Sequence, residues 1–309
     1  WHCSLIQRWI SDNPLGQGNG WEPYPTSLRI VNWVKWSLRF ESSETTAVDR
    51  GSVHHSLALQ ARWLCRRLEL HLLGNHLFAN AKALVFVGTF FEGEESRSWL
   101  DQGLEIIRQQ LPEQLLEDGG NFERSPMYHA IFLEDLLDLI NLNRRYPGLL
   151  PSHDLESWRA YAGKMLRWLE LMCHPDSEIS LFNDVAIGIA PNPAELFAYA
   201  KRLGVETDKS ESDLLMTSNS THVGSPSVQF SDSVGDSRKI GVAQPSVDRL
   251  ADTGYVRLAT RDAVIILDVA SIGPDYLPGH AHADTLSFEL SLFGQRVFVN
   301  GGTSQYGKG

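Results

Sequence analysis

Residues 253–269, Thr-Gly-Tyr-Val-Arg-Leu-Ala-Thr-Arg-Asp-Ala-Val-Ile-Ile-Leu-Asp-Val, decide how the chain is organised, because here the apolar residues change to a two-residue period. Alternation over 255–260 and 263–269 predicts two strands. Residues 286–292 and 296–299 predict two more, with Phe293-Gly294-Gln295 as the hairpin turn between them. Upstream, 207–248 is rich in Ser, Asp, Thr and Gly, lacks long periodic segments and reads as a connection. Before Gly204 the period is helical. Helices are expected over 28–40, 56–73, 78–91, 99–111, 127–142 and 155–173, and a last one opened by Asn192-Pro193 and ended by Gly204. The 78–91 segment is apolar all round, as in a helix buried between others. Short loops favour antiparallel hairpins in a bundle, a solenoid or a toroid, and no repeat selects one. The expected organisation is a helical domain over 1–205, a Ser/Asp-rich connection over 206–252 and the first part of an antiparallel β domain over 253–309.

Composition narrows the function. The 309 residues carry 38 Asp plus Glu against 27 Lys plus Arg, a formal net charge of −11. That balance argues against a nucleic-acid binder, which needs a basic surface, but leaves room for an acidic ligand in a locally basic cleft. The three cysteines, at 3, 65 and 173, match neither a zinc pattern nor a disulfide framework. No apolar run reaches the ~18 residues of a membrane span, and no signal segment opens the chain. The chain begins at Trp1 without Met and stops at Gly309 just after a strand-like run, so a fragment is expected and the absence of an export signal says little about location. Neither a Gly-rich phosphate loop nor a G-x-S-x-G elbow is present. Glu134, Asp135 and Asp138, three and four apart on a helix, read as a solvated face.

Four segments carry candidate chemistry. In Pro278-Gly279-His280-Ala281-His282-Ala283-Asp284, an extended chain would point His280, His282 and Asp284 the same way, about 6–7 Å apart. Such a cluster can bind a metal, share protons or contact an anionic sugar. Leu286, Phe288, Leu290 and Leu292 share that parity and read as a buried face, so the strand is expected to begin near Asp284 with the histidines in the loop before it. Gly74-Asn75-His76 opens a helix. Glu123-Arg124-Ser125-Pro126-Met127-Tyr128-His129 starts another whose first turn offers Tyr128 and His129. Trp21, Glu22 and Tyr24 form a rigid aromatic loop before a helix with Arg29, Asn32 and Trp33, groups suited to stacking on sugars and pairing with carboxylates.

Together these segments, with Asn300-Gly301-Gly302-Thr303-Ser304-Gln305-Tyr306, resemble the heparinase II/III family of polysaccharide lyases. The similarity is strongest to a bacterial branch found with exopolysaccharide genes. The resemblance implies an α+β multidomain fold: an (α/α) toroid of helical hairpins followed by the start of an antiparallel β-sandwich domain, with the active site between them. It implies β-elimination on a uronate-containing acidic polysaccharide. It implies that Asn75 and His76 neutralise the substrate carboxylate, with His76 also a candidate base. Tyr128 would be the acid, and on some substrates also the base. His280 would neutralise the carboxylate or act as base, and Tyr306 would be a further cleft tyrosine. Trp21, Glu22, Tyr24, Arg29, Asn32, Trp33 and His129 would contact substrate. A periplasmic or secreted location goes with the family. Some members hold a structural zinc; His282 would match one ligand, whereas Asn300 stands where an Asp is expected and is a poorer ligand. Two rivals remain: a toroid glycoside hydrolase, which would need paired carboxylates from Glu22, Glu123 and Asp284, and a non-catalytic glycan-binding or biosynthesis-accessory protein.

Overall fold

The structure, a computed structural model, describes residues 2–40, 50–208, 245–274 and 276–304. Among them run α1 (His2–Asp12), α2 (Pro23–Arg39), α3 (Arg50–Cys65), α4 (Gly74–Phe90), α5 (Glu94–Gln114), α6 (Pro126–Arg145), α7 (Ser152–Leu171) and α8 (Pro193–Leu203). The strands β1 (Ser246–Leu250), β2 (Tyr255–Ala259), β3 (Ala263–Asp268), β4 (Phe288–Leu292) and β5 (Gln295–Phe298) then form one antiparallel meander in chain order. No described helix is long and apolar enough to cross a membrane.

α4 is the centre of the helical layers. From Leu77 to Thr89 every residue is buried, and Gly88 and Gly103 let α4 and α5 approach so closely that a Cβ on Gly103 would stand 2.8 Å from the Ala81 carbonyl. The expected terminators act at α8, where the Asn192 side chain accepts from Ala194 N–H and Gly204 closes the helix in the left-handed region. They do not act at two other places. Pro112 sits inside the last turn of α5, so its missing amide costs a single hydrogen bond close to the helix end. The helix expected to reach residue 73 ends at Cys65, and the following turn is pinned by Asn80, whose Oδ1 accepts from Glu69 N–H.

The sheet begins earlier than Thr253: β1 lies inside the stretch expected as connection. A greater difference concerns its faces. The register aligns Val256, Leu267 and Phe288 in one cross-strand row and Leu258, Ile265, Leu290 and Phe298 in the next. This is the apolar face expected to be buried, yet it points outward, with Leu286 81% and Phe288 48% exposed. The opposite face, carrying Arg257, Ile266, Glu289 and Ser291, packs on the helices. It can do so because its polar groups are satisfied there. His174 binds Ser291 Oγ through Nδ1 at 2.7 Å and Glu289 through Nε2 at 2.8 Å, and Arg257 donates to the Leu171 and Cys173 carbonyls at the end of α7. An apolar layer of Trp168, Met172, Phe182, Tyr255 and Ile266 completes the joint.

Asp135 and Asp138 are not a solvated face. Lys82, buried in α4, donates to Asp135 at 2.6 Å and to Asp138 at 2.5 Å, and Asp138 also receives Lys35 at 2.5 Å and the Tyr199 hydroxyl at 3.1 Å. Burial disfavours the charge on Lys82, but the two aspartates outweigh it and hold the amine above the ordinary lysine range.

Candidate active site

One helix start and three loops converge where the helices meet the sheet. At the start of α4, Leu73 and Gly74 both take positive φ (57° and 55°), and this sharp turn delivers Asn75 and His76 into the first helical turn. Glycine suits position 74, where φ is positive and a Cβ would have to displace Glu123 Oε1, 2.7 Å away. The unpaired N–H groups and positive pole of α4 favour an anion there. His76 is oriented by Glu69, 2.9 Å from its Nδ1, and stacks on Tyr24 with ring centroids 4.5 Å apart. A carboxylate can only accept, so the proton of His76 is assigned to Nδ1 and Nε2 is left to the solvent side of that pair.

The second segment, 121–128, holds Tyr128. Ser125 caps α6 by accepting from Tyr128 N–H at 3.3 Å, and its own hydroxyl donates to the Asp184 carbonyl at 2.6 Å. The third, Asn183-Asp184, stitches the layers together. Asn183 N–H donates to Asp284 at 2.6 Å, its Oδ1 accepts from His282 N–H at 3.0 Å, and its Nδ2 donates to the Arg124 carbonyl and the Tyr255 hydroxyl. The fourth is the Pro278–His280 turn, which lies in a loop before β4 as expected from parity.

These constraints put His280 against Tyr128, ring centroids 3.9 Å apart. His280 Nδ1 lies 2.8 Å from Asp184 Oδ2, while Asp184 Oδ1 accepts from the Thr303 hydroxyl at 2.6 Å. The imidazole is thereby fixed with Nδ1 protonated and the Nε2 lone pair directed away from Asp184. Nε2 stands 3.9 Å from Glu123 Oε2. Tyr24, Asn75, Glu123, Tyr128 and Asp135 line one small recess. Burial, then the charges of Asp135, Glu123 and Glu69, raise the Tyr24 hydroxyl above the ordinary tyrosine range, against the pull of Lys82.

Asn75, His76, Tyr24, Tyr128 and His280 are thus gathered at one place. Other candidates are not. His129 is fully buried, its Nδ1 accepting from Asn121 N–H and its Nε2 against the Met165 carbonyl; burial lowers it to about 3, so it is a neutral core group out of reach of a substrate. Trp21 and Trp33 are buried. Arg29 spends its guanidinium on Gln60, the Gly20 carbonyl and Thr26, with its plane 3.7 Å over Trp9, which ties the N-terminal helices together. Glu22 and Asn32 are exposed and do not line this recess. Tyr306 lies outside the described residues.

No three His, Cys, Asp or Glu side chains among the described residues come together as a metal set. Asn300 directs its amide to Gly301 N–H and Ser287, and the His282 backbone serves Asn183. Sequence reasoning also missed Asp184, Asn183 and Glu69, which no local pattern marks; Thr303 stands in the 300–306 segment, whose reading assigned it no role.

The family model for the heparinase II/III N-terminus matches residues 2–192, and the heparinase II/III-like C-terminal model matches 243–309. The chain belongs to the heparinase II/III family. Among curated family relatives, a heparin-sulfate lyase of Pedobacter heparinus is 26% identical over 189 residues, spanning 57% of this chain and 27% of that protein. One from Bacteroides stercoris is 32% identical over 74 residues, 24% of this chain and 11% of the relative. The fold aligns with crystalline heparinase III (TM-score 0.71, 20% identity, 99% of this chain and 47% of that one) and with a heparan sulfate lyase of Pedobacter heparinus (TM-score 0.60, 19% identity, 100% and 46%). At this identity the structural likeness establishes the heparinase toroid-plus-sandwich architecture alone. The chain spans less than half the length of the relatives it matches.

Proposed function

We propose that this chain carries the acid–base half of a polysaccharide lyase that cleaves a uronate-containing acidic glycan by β-elimination. One observation carries the reading: a tyrosine packed on a histidine whose far nitrogen is held by a carboxylate, beside a helix start bearing Asn and His. The heparin-sulfate lyase relatives support the same chemistry.

In this reading the uronate carboxylate lies at the N-terminus of α4, against Asn75 and His76. Neutralising it acidifies the C5 proton, because charge develops on the carboxylate oxygens as that proton leaves. His280 Nε2 takes the C5 proton, and the resulting imidazolium is stabilised by Asp184. The C5 electron pair forms the C4–C5 double bond as the C4–O4 bond breaks. Tyr128 gives its hydroxyl proton to the departing O4.

Incubating the full-length protein with heparan sulfate, hyaluronan and alginate, and following the ultraviolet absorbance of the conjugated uronate, tests the reaction class. Hydrolysis and simple binding create no double bond. Tyr128→Phe is expected to lower elimination about 10²–10⁴-fold; full activity in that variant removes Tyr128 as the acid.

A further inference from the structure

Glu123 is unlike every other carboxylate at the site. Glu69 is bound by Asn80 and His76, and Asp184 by Thr303 and His280. Glu123 is 2% exposed, yet neither carboxyl oxygen has a hydrogen-bond partner among the described residues. The Asn75 backbone N–H faces it closely enough to favour its ionised form, without reaching hydrogen-bond geometry. Its Oε1 lies against Gly74, at the helix start read above as the carboxylate site, and its Oε2 is 3.9 Å from His280 Nε2. A buried acid without partners costs the fold less when neutral.

We propose that binding of a uronate carboxylate at the start of α4 is coupled to uptake of one proton by Glu123. Two carboxylates sharing one helix terminus and one imidazole cannot both stay ionised at low cost. The bound substrate takes the favourable field of Asn75, His76 and the helix pole, and Glu123, one layer below, accepts a proton from solvent. Glu123 is therefore a positioning residue: it keeps the charge balance at the site such that the substrate's carboxylate, and not its own, is the anion there. Burial already pushes its carboxyl above the ordinary glutamate range; His280, the Asn75 N–H and His76 pull it down, and Asp184 pushes it up. The other titratable groups facing it are Tyr24 from α2 and Tyr276 from the loop before β4, with Tyr128 on α6 lining the same recess.

This inference rests on the carboxylate site proposed above, and its test separates the two. Heparan sulfate hexasaccharides and methyl glucuronide are titrated calorimetrically into the full-length Tyr128→Phe protein, in which turnover is expected to be slow, in buffers of different ionisation enthalpy. About one proton is expected to be taken up per site, with Kd rising about tenfold per pH unit once Glu123 is ionised in the free protein. In Tyr128→Phe/Glu123→Gln the uptake is expected to vanish and Kd to stop following pH. The infrared difference spectrum of the Tyr128→Phe protein gives the same answer without substituting Glu123, as a new carboxylic acid carbonyl band on binding. Binding with no proton uptake and no such band overturns the proposal, as does uptake that persists in the Gln variant. Failure of both probes to bind overturns the carboxylate site itself.

Discussion

Two buried carboxylates of this molecule, Asp138 and Glu123, are treated in opposite ways. Asp138 receives Lys82, Lys35 and Tyr199, and these donors outweigh burial and hold its carboxyl below the ordinary range. Glu123 receives no hydrogen bond from the described residues, and burial holds it above. Asp135 and Glu123 even line the same recess. A satisfied buried charge serves the fold, whereas an unsatisfied one is a cost that the fold retains beside Asn75, His76 and His280.

The contrast can be broken from either side. The largest effect is expected from Lys82→Met, which strands buried Asp135 without its cation and leaves Asp138 only Lys35; urea unfolding should lose about 3–5 kcal/mol. The added exchange of both aspartates for Asn should recover much of it. If the variant keeps its stability and loses activity instead, the cluster belongs to the chemistry and the contrast fails. Next comes Asp184→Asn, which removes the negative charge and leaves one acceptor oxygen for both His280 and Thr303. Turnover is expected to fall about 10²-fold, with KM changed far less, when both are measured across a pH series. Equal losses from unfolding would show up as a matching drop in Tm. The smallest effect has a diagnostic sign. A folded-state carboxyl above its unfolded value binds more protons in the native state, so its cost grows as pH rises through and above the unfolded value. Glu123→Gln should therefore raise Tm at neutral pH, and the gain should shrink towards about pH 4. Asp138→Asn should do the reverse, because a depressed carboxyl stabilises above its unfolded value and loses that contribution as pH falls. Parallel pH trends for the two variants would erase the distinction.

Much of the architecture was legible because it is written in local patterns. The change to a two-residue period after Thr253 marks the sheet, Asn192-Pro193 and Gly204 bracket α8, and parity places His280 and His282 in a loop before β4. What stayed hidden depends on partners distant in sequence. Lys82 was one polar residue in an apolar helix, and nothing nearby announces that Asp135 and Asp138 will come to meet it. The sheet's faces inverted for the same reason: Glu289 and Ser291 look like an outer face until His174 is placed against them. At the site, the short motifs around Asn75, Tyr128 and His280 converge, while the side chains that orient them, Glu69 and Asp184, carry no motif at all. Trp21, Trp33 and Arg29 had the composition of a sugar platform; their burial and mutual packing make them part of the helical core.

The pairing of Asp184 with Thr303 joins positions 119 residues apart. A chain emerging from the ribosome meets its local helical contacts first and its distant strand contacts last. Asn75, His76 and Tyr128 are made early, while the histidine that faces Tyr128 and the threonine that braces its aspartate arrive only with the last strands. Time as well as space separates Tyr128 from His280, and an unfinished chain holds one half of the recess without the other.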